Sequence, residues 1–206
     1  TNIFEKVLIN DLRYTSMPKI NFNGFVNKFN ILFKNVTTES DNSTEFANDF
    51  RSQNFGSLLY DVSYPMKKEG LKYDNFLSGK ASFMYSPNKN KNIKNLDRKI
   101  DFKNVFTQNR LGLNDSLEGG QSLTFGGEYK ITDKQNRSFL TAGLASVLRD
   151  KNEEKLPTSS TINNKSSDII GSINFKPNNN FNLDYNFSVD NDLTSTNYNF
   201  IKADLT

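Results

Sequence analysis

Between residues 181 and 190 the chain places Phe181, Leu183, Tyr185, Phe187 and Val189 at odd positions and Asn182, Asp184, Asn186, Ser188 and Asp190 at even ones. Strict alternation over this length cannot be an amphipathic helix, whose apolar positions recur three and four residues apart. A second run, residues 122–131, sets Leu123, Phe125, Gly127, Tyr129 and Ile131 against Ser122, Thr124, Gly126, Glu128 and Lys130. Both match the roughly 9–11 residues of a tilted membrane-crossing strand and exceed the roughly 5–6 usual in soluble sandwiches. The pattern predicts that Leu123, Phe125, Tyr129, Phe181, Leu183, Tyr185 and Phe187 face lipid. Thr124, Glu128, Asn182 and Asp184 then face an aqueous interior, as do Asp168 and Asp190.

Weaker alternation recurs. Phe29, Ile31 and Phe33 share a face, as do Leu58, Tyr60, Val62 and Tyr64 before Pro65, and Leu77, Gly79, Ala81, Phe83 and Tyr85 before Pro87. Ile169, Gly171, Ile173 and Phe175 form another face closed by Pro177, and residues 3–12, 138–149 and 194–205 are strand-like. About nine antiparallel strands are expected. The links alternate in length: 35–53, 88–121 and 150–167 are long and polar, whereas 66–75, 132–137 and 176–180 are short. Bacterial outer-membrane barrels have this asymmetry, with long loops outside and short turns in the periplasm. The link 191–193 is short although it falls on the long-loop side. Residues 103–108 are a candidate loop helix.

Composition supports a barrel. Hydrophobic residues make up only 35% of the chain, while Phe and Tyr are abundant. Barrel strands need apolar residues on one face only. With no Cys and no His, disulfides, thiolate zinc sites and His-based triads are excluded. No enzyme activity, cofactor or metal is expected. A net charge of +3 is too mild to point to nucleic acid. Two other readings fit alternation: a porin or other outer-membrane channel, and a soluble all-β surface or adhesin module.

The most specific stretch is Asn109-Arg110-Leu111-Gly112-Leu113-Asn114-Asp115-Ser116-Leu117-Glu118-Gly119-Gly120. It resembles the C-terminal barrel region of the LptD family of lipopolysaccharide-assembly proteins, where Asn-Arg is followed by an acidic residue and then Glu-Gly-Gly opening a strand. Tyr64-Pro65-Met66 resembles the family's aromatic-Pro-Leu strand end, with Met66 in place of Leu. Phe83-Met84-Tyr85-Ser86-Pro87 resembles the strand running into its large external loop. Arg149, Leu156-Pro157 and residues 165–171 resemble the form seen in alphaproteobacterial members. The resemblance covers most of the chain from about Gly24 onward.

The resemblance implies an all-β antiparallel transmembrane barrel in the bacterial outer membrane that delivers lipopolysaccharide to the outer leaflet. It implies a small lipoprotein plugging the lumen and a periplasmic bridge handing over lipopolysaccharide. Residues 1–206 would then be part of one barrel domain, with the N-terminal periplasmic domain and the remaining strands outside this fragment. Within the motif, Arg110 with Asp115 and Glu118 can fold the loop back over the barrel mouth, because a guanidinium binds carboxylates bidentately. Gly119 and Gly120 would give backbone freedom where the strand begins. Lys89, Lys91, Lys94, Arg98, Lys99 and Lys103 crowd the same loop and could meet lipopolysaccharide phosphates. A solvated loop of biased composition explains them equally well.

Overall fold

The structure is a computed structural model and describes residues 2–205. Its strands are β1 (Phe4–Thr15), β2 (Lys19–Ile20), β3 (Val26–Asp41), β4 (Arg51–Glu69), β5 (Tyr73–Ser86), β6 (Gly120–Asp133), β7 (Ser138–Arg149), β8 (Ile169–Asn178), β9 (Phe181–Val189) and β10 (Thr196–Leu205). All but the two-residue β2 lie side by side in the order β1-β3-β4-β5-β6-β7-β8-β9-β10, and β2 pairs with the start of β3. Every pairing is antiparallel. Among the described residues β1 and β10 each keep one unpaired edge, so the sheet is open.

The two faces invert the usual order of a soluble protein. In β3 the buried residues include Asn30, Lys34, Thr38 and Ser40, while Ile31 and Phe33 are exposed. In β5 and β6 Asp74, Ser82, Ser86, Ser122, Thr124 and Thr132 are buried, while Leu77, Phe83, Tyr85, Leu123, Phe125 and Tyr129 are exposed. A sandwich would cover the apolar face with a second sheet. Here the layer lies on the polar face instead, and an apolar outer surface of this extent belongs in hydrocarbon.

In β9 burial does not separate the faces, because every residue is half-buried. Side-chain contacts do. Tyr185 and Phe187 stack at 5.2 Å between ring centroids. Asn174 donates to Asn182 and Asp184 at 2.8 and 2.7 Å on the opposite face. Asp168 accepts from Ser188 and Asn197 at 2.7 and 2.8 Å. Asp190 is not a wall residue. It closes the β9–β10 turn by accepting from Ser195 and Thr194 hydroxyls at 2.8 and 2.9 Å, and these bonds hold its carboxyl down to about 2.

Strands run longer than the alternation indicated. The link expected at 35–53 contracts to residues 42–50, because β3 and β4 form a ladder from Val26↔Ser63 to Thr38↔Arg51. The link at 66–75 contracts to 70–72. Pro65 and Pro177 lie inside β4 and β8 rather than closing them. Each sits where one neighbour has already ended: β3 pairs no further than Ser63, and β7 no further than Phe175. A missing N–H facing an open side costs no ladder bond. Residues 103–108 form turns, not a helix.

Strand direction puts positions 42, 92 and 152 at one end of the sheet and positions 68 and 134 at the other. Tyr185→Arg should reduce assembly into the outer membrane far more than Asn186→Arg, since a lipid-facing Arg near the bilayer midplane costs about 2–4 kcal/mol. The check is the fraction of heat-modifiable folded protein in outer-membrane preparations; equal fractions for both variants would overturn the facing assignment.

Candidate functional site

The two long loops, residues 87–119 and 150–168, fold onto the polar face of the sheet. Their apolar residues make a core of their own. Ile93, Ile100, Phe102, Val105, Leu111 and Leu113 of the first loop meet Leu156 and Ile162 of the second, over Ala145, Val147 and Ile170 of β7 and β8. Phe102 lies against Gly143, where an added Cβ would come within 2.4 Å of its ring. The link 88–121 read as polar, yet apolar residues every few positions give it this second layer.

Polar contacts fix the layer to the wall. Lys34 of β3, nearly fully buried, donates to the Asn114 carbonyl at 3.0 Å and pairs with Asp11 of β1 at 2.7 Å. Gln108 donates to the Ser57 carbonyl at 2.8 Å, and Asn88 to that of Gly56 at 2.9 Å. Asn109 works within the loop: its side chain accepts from the Leu113 N–H and donates to the Leu113 carbonyl, both at 2.8 Å.

At the centre stands Glu118, 2% exposed, between Arg110 (2%) and Arg149 (7%). Arg110 is bidentate: Nε donates to Glu118 Oε2 at 2.7 Å, and Nη2 donates to Oε1. Its remaining donors reach the Thr124 and Ser122 hydroxyls of β6 at 3.2 and 3.0 Å. Arg149 Nη1 donates to Glu118 Oε1, and its Nη2 to the Gly119 carbonyl at 2.6 Å. Burial by itself would raise the Glu118 carboxyl, but the charges and hydrogen bonds of Arg110, then Arg149, outweigh it and hold the group below its ordinary value.

Of the residues singled out in the motif, the structure brings Arg110 to Glu118 but not to Asp115. Asp115 pairs outward with Lys91. The cause is the turn at Gly112, whose φ of +63° reverses the chain between Arg110 and Asp115. Arg149 completes the cluster and was noted in the sequence only as part of the resemblance. Gly120 has φ +98°, and a Cβ there would stand 2.8 Å from Arg149 Nη2. At Gly119 a Cβ would collide with the Asn88 carbonyl oxygen at 2.0 Å. Close approach thus matters at 119, and backbone freedom at 120.

Lys89, Lys91, Lys94, Arg98, Lys99 and Lys103 are all exposed on the outside of this layer. Lys91 is engaged by Asp115, and Lys99 lies 3.8 Å from Asp97 and 4.8 Å from the Tyr198 ring centroid. Among the described residues, Lys89, Lys94, Arg98 and Lys103 have no carboxylate partner.

The cluster predicts an order of mutational cost. Glu118→Ala strands two buried guanidiniums, so it should be the worst change, at about 3–5 kcal/mol. Arg110→Ala leaves Arg149 to compensate the carboxylate and should cost less, with Arg110→Lys partly restoring it because Lys lacks the planar fork. Urea unfolding of the purified protein in detergent ranks the three; equal stability of Glu118→Ala and wild type would remove the cluster from any anchoring role. Because the folded-state value for Glu118 lies below the ordinary 4.5, its contribution is complete above that pH and is lost as the pH falls through the depressed value. Acid should therefore loosen residues 87–119 of the wild type, and Glu118→Gln should flatten this dependence in near-UV circular dichroism.

Comparison with known proteins agrees with this architecture. No curated protein matches the chain. Residues 32–203 match the family described as LptD: LPS transport system D. The match takes in β3 from Leu32, the anchored loop and all later strands into β10. The chain therefore belongs to the LptD family, outer-membrane β-barrel proteins of lipopolysaccharide transport and assembly.

Proposed function

We propose that the chain is a wall section of one larger outer-membrane barrel that delivers lipopolysaccharide to the outer leaflet. Unpaired edges at β1 and β10 support the larger barrel, because hydrocarbon offers no partner for exposed backbone groups and further strands must supply them. In this reading a periplasmic domain upstream receives lipopolysaccharide from a periplasmic bridge, and a small lipoprotein occupies the lumen.

The observation that carries the reading is the anchored loop layer. Ala145, Val147 and Ile170 on the inner wall are covered by apolar loop residues, whereas a diffusion channel needs a wetted, polar lumen there. A wall sealed at its long-loop end suits a barrel that releases cargo in a controlled way. Arg110, Glu118 and Arg149 act by holding that seal, with Gly119 and Gly120 admitting their close packing. The exposed cations Lys89, Lys91, Lys94, Arg98, Lys99 and Lys103 then meet phosphates and acidic sugars of lipopolysaccharide on the cell surface.

Depleting the full-length protein should block the appearance of pulse-labelled lipopolysaccharide at the cell surface, and normal appearance would overturn the transport reading. Replacing Lys89, Lys94, Arg98 and Lys103 together with Gln should slow that appearance while barrel assembly stays normal. Single cysteines at positions 42, 92 and 152 should react with an impermeant thiol reagent on intact cells, and cysteines at 68 and 134 should not. Labelling at 134 without labelling at 92 would invert the topology.

A further inference from the structure

The short-turn end of the sheet carries a feature that lipopolysaccharide delivery leaves unused. The β4–β5, β6–β7 and β8–β9 turns enclose a cavity of about 900 Å³ whose lining includes Lys72, Lys134, Arg137 and Lys176, with Asp133 its one carboxylate. Two of these cations are already matched: Arg137 Nε donates to Asp133 at 2.7 Å, and Lys134 pairs with Asp74. Lys72 and Lys176 are exposed, and among the described residues neither has a carboxylate partner. The cavity thus holds two uncompensated ammonium groups.

Its floor is aromatic. Tyr73 and Phe139 line it, their ring centroids 5.5 Å apart. Phe139 continues to Phe175 at 5.2 Å, and Phe175 to Phe181 at 6.4 Å. Lys72 Nζ lies 5.4 Å from the Tyr73 ring centroid. Phe175 and Phe181 share the outward face with Ile173, Leu183 and Tyr185 through the β8–β9 register. A row of rings at the edge of the lipid-facing band marks the interface between hydrocarbon and headgroups. The cationic cavity therefore opens at headgroup depth, beside an apolar surface that acyl chains can follow.

We propose that this cavity binds the headgroup of an anionic glycerophospholipid in the leaflet on the short-turn side. The phosphate lies between Lys72 and Lys176, the asparagine-rich β8–β9 turn (Asn178, Asn179, Asn180) borders the polar headgroup, and the acyl chains run along Phe139 and Phe175. Basic pockets at a membrane interface select anionic over zwitterionic lipids through charge. The proposal rests on the outward face meeting lipid and is independent of the direction of lipopolysaccharide movement.

The test is native mass spectrometry of the protein released from nanodiscs of equal parts phosphatidylglycerol and phosphatidylethanolamine. Wild type should retain phosphatidylglycerol preferentially. Lys72→Gln with Lys176→Gln should retain about 25-fold less, roughly fivefold for each lysine removed from an anionic surface. Lys151→Gln with Lys155→Gln, at the opposite end, should match wild type. Unchanged retention in the Lys72/Lys176 variant, or equal retention of the two lipids by wild type, would overturn the site. Displacement of phosphatidylglycerol by lipopolysaccharide at equal concentration would also overturn it and assign the cavity to the transported lipid. Should the double variant fail to fold, the wild-type comparison of the three lipids still decides. Surface delivery of pulse-labelled lipopolysaccharide, measured in the same variant, separates failure of this site from failure of the transport reading.

Discussion

Hydrocarbon supplies no hydrogen-bond partners, so every backbone N–H and C=O in the membrane must be paired within the sheet. The rest of the structure follows from that demand. Long antiparallel ladders such as β5–β6, continuous from Tyr73↔Asp133 to Ser86↔Gly120, use up the backbone groups. Alternation then forces half the side chains outward into lipid and the other half inward. Apolar residues go out because the solvent there is apolar, and the conventional core disappears from between sheets. What remains to be packed is the inner face, and the chain packs it with its own loops.

Those loops raise the opposite electrostatic problem. Lys34, Arg110, Glu118 and Arg149 lie buried in the layer between loop and wall, where an unpaired charge is costly. The three cations are accordingly tied to carboxylate, carbonyl or hydroxyl oxygens, and Glu118 to the guanidiniums of Arg110 and Arg149. Buried ion clusters rarely add much net stability over well-packed apolar residues, and their attested use is to fix one register among several. That suits a loop whose apolar residues alone would tolerate sliding. Ile93, Val105 and Leu111 supply attraction without direction; the planar fork of Arg110 on Glu118 supplies direction.

The alternation of β6 and β9 was legible because period 2 over a whole membrane crossing leaves little else to choose. The ends of β3, β4 and β8 were not. Residues 36–41 and 51–57 are largely polar and pair above the apolar band, where facing no longer demands contrast, and Pro65 and Pro177 look like terminators until the shorter neighbours are known. In the site, Arg110 and Glu118 could be paired because they are eight residues apart in one loop. Asp115 was drawn to Arg110 by proximity in sequence alone, which the Gly112 turn annuls. Arg149 reaches Glu118 from 31 residues away, through a strand register that the motif does not contain.

That register depends on one residue. Near the short turn Thr132 faces Ser138, and next to it Ile131 faces Leu140, leaving Phe139 unpaired as a bulge. From there the ladder runs to Ser122↔Arg149. Were Phe139 paired with Ile131 instead of bulged, β7 would slip by one against β6, and Leu148 rather than Arg149 would stand opposite Ser122. A slip of one exchanges the two faces of a strand: Val147 would leave the loop core, and the Arg149 guanidinium would point into lipid. Hence a bulge at the short-turn end sets which side chain meets Glu118 at the far end of the same hairpin. The same bulge turns Phe139 towards Tyr73 and Phe175, so the aromatic row and the buried cluster share one local cause. Bulges of this kind re-aim side chains near sheet ends, and here one re-aims a whole strand.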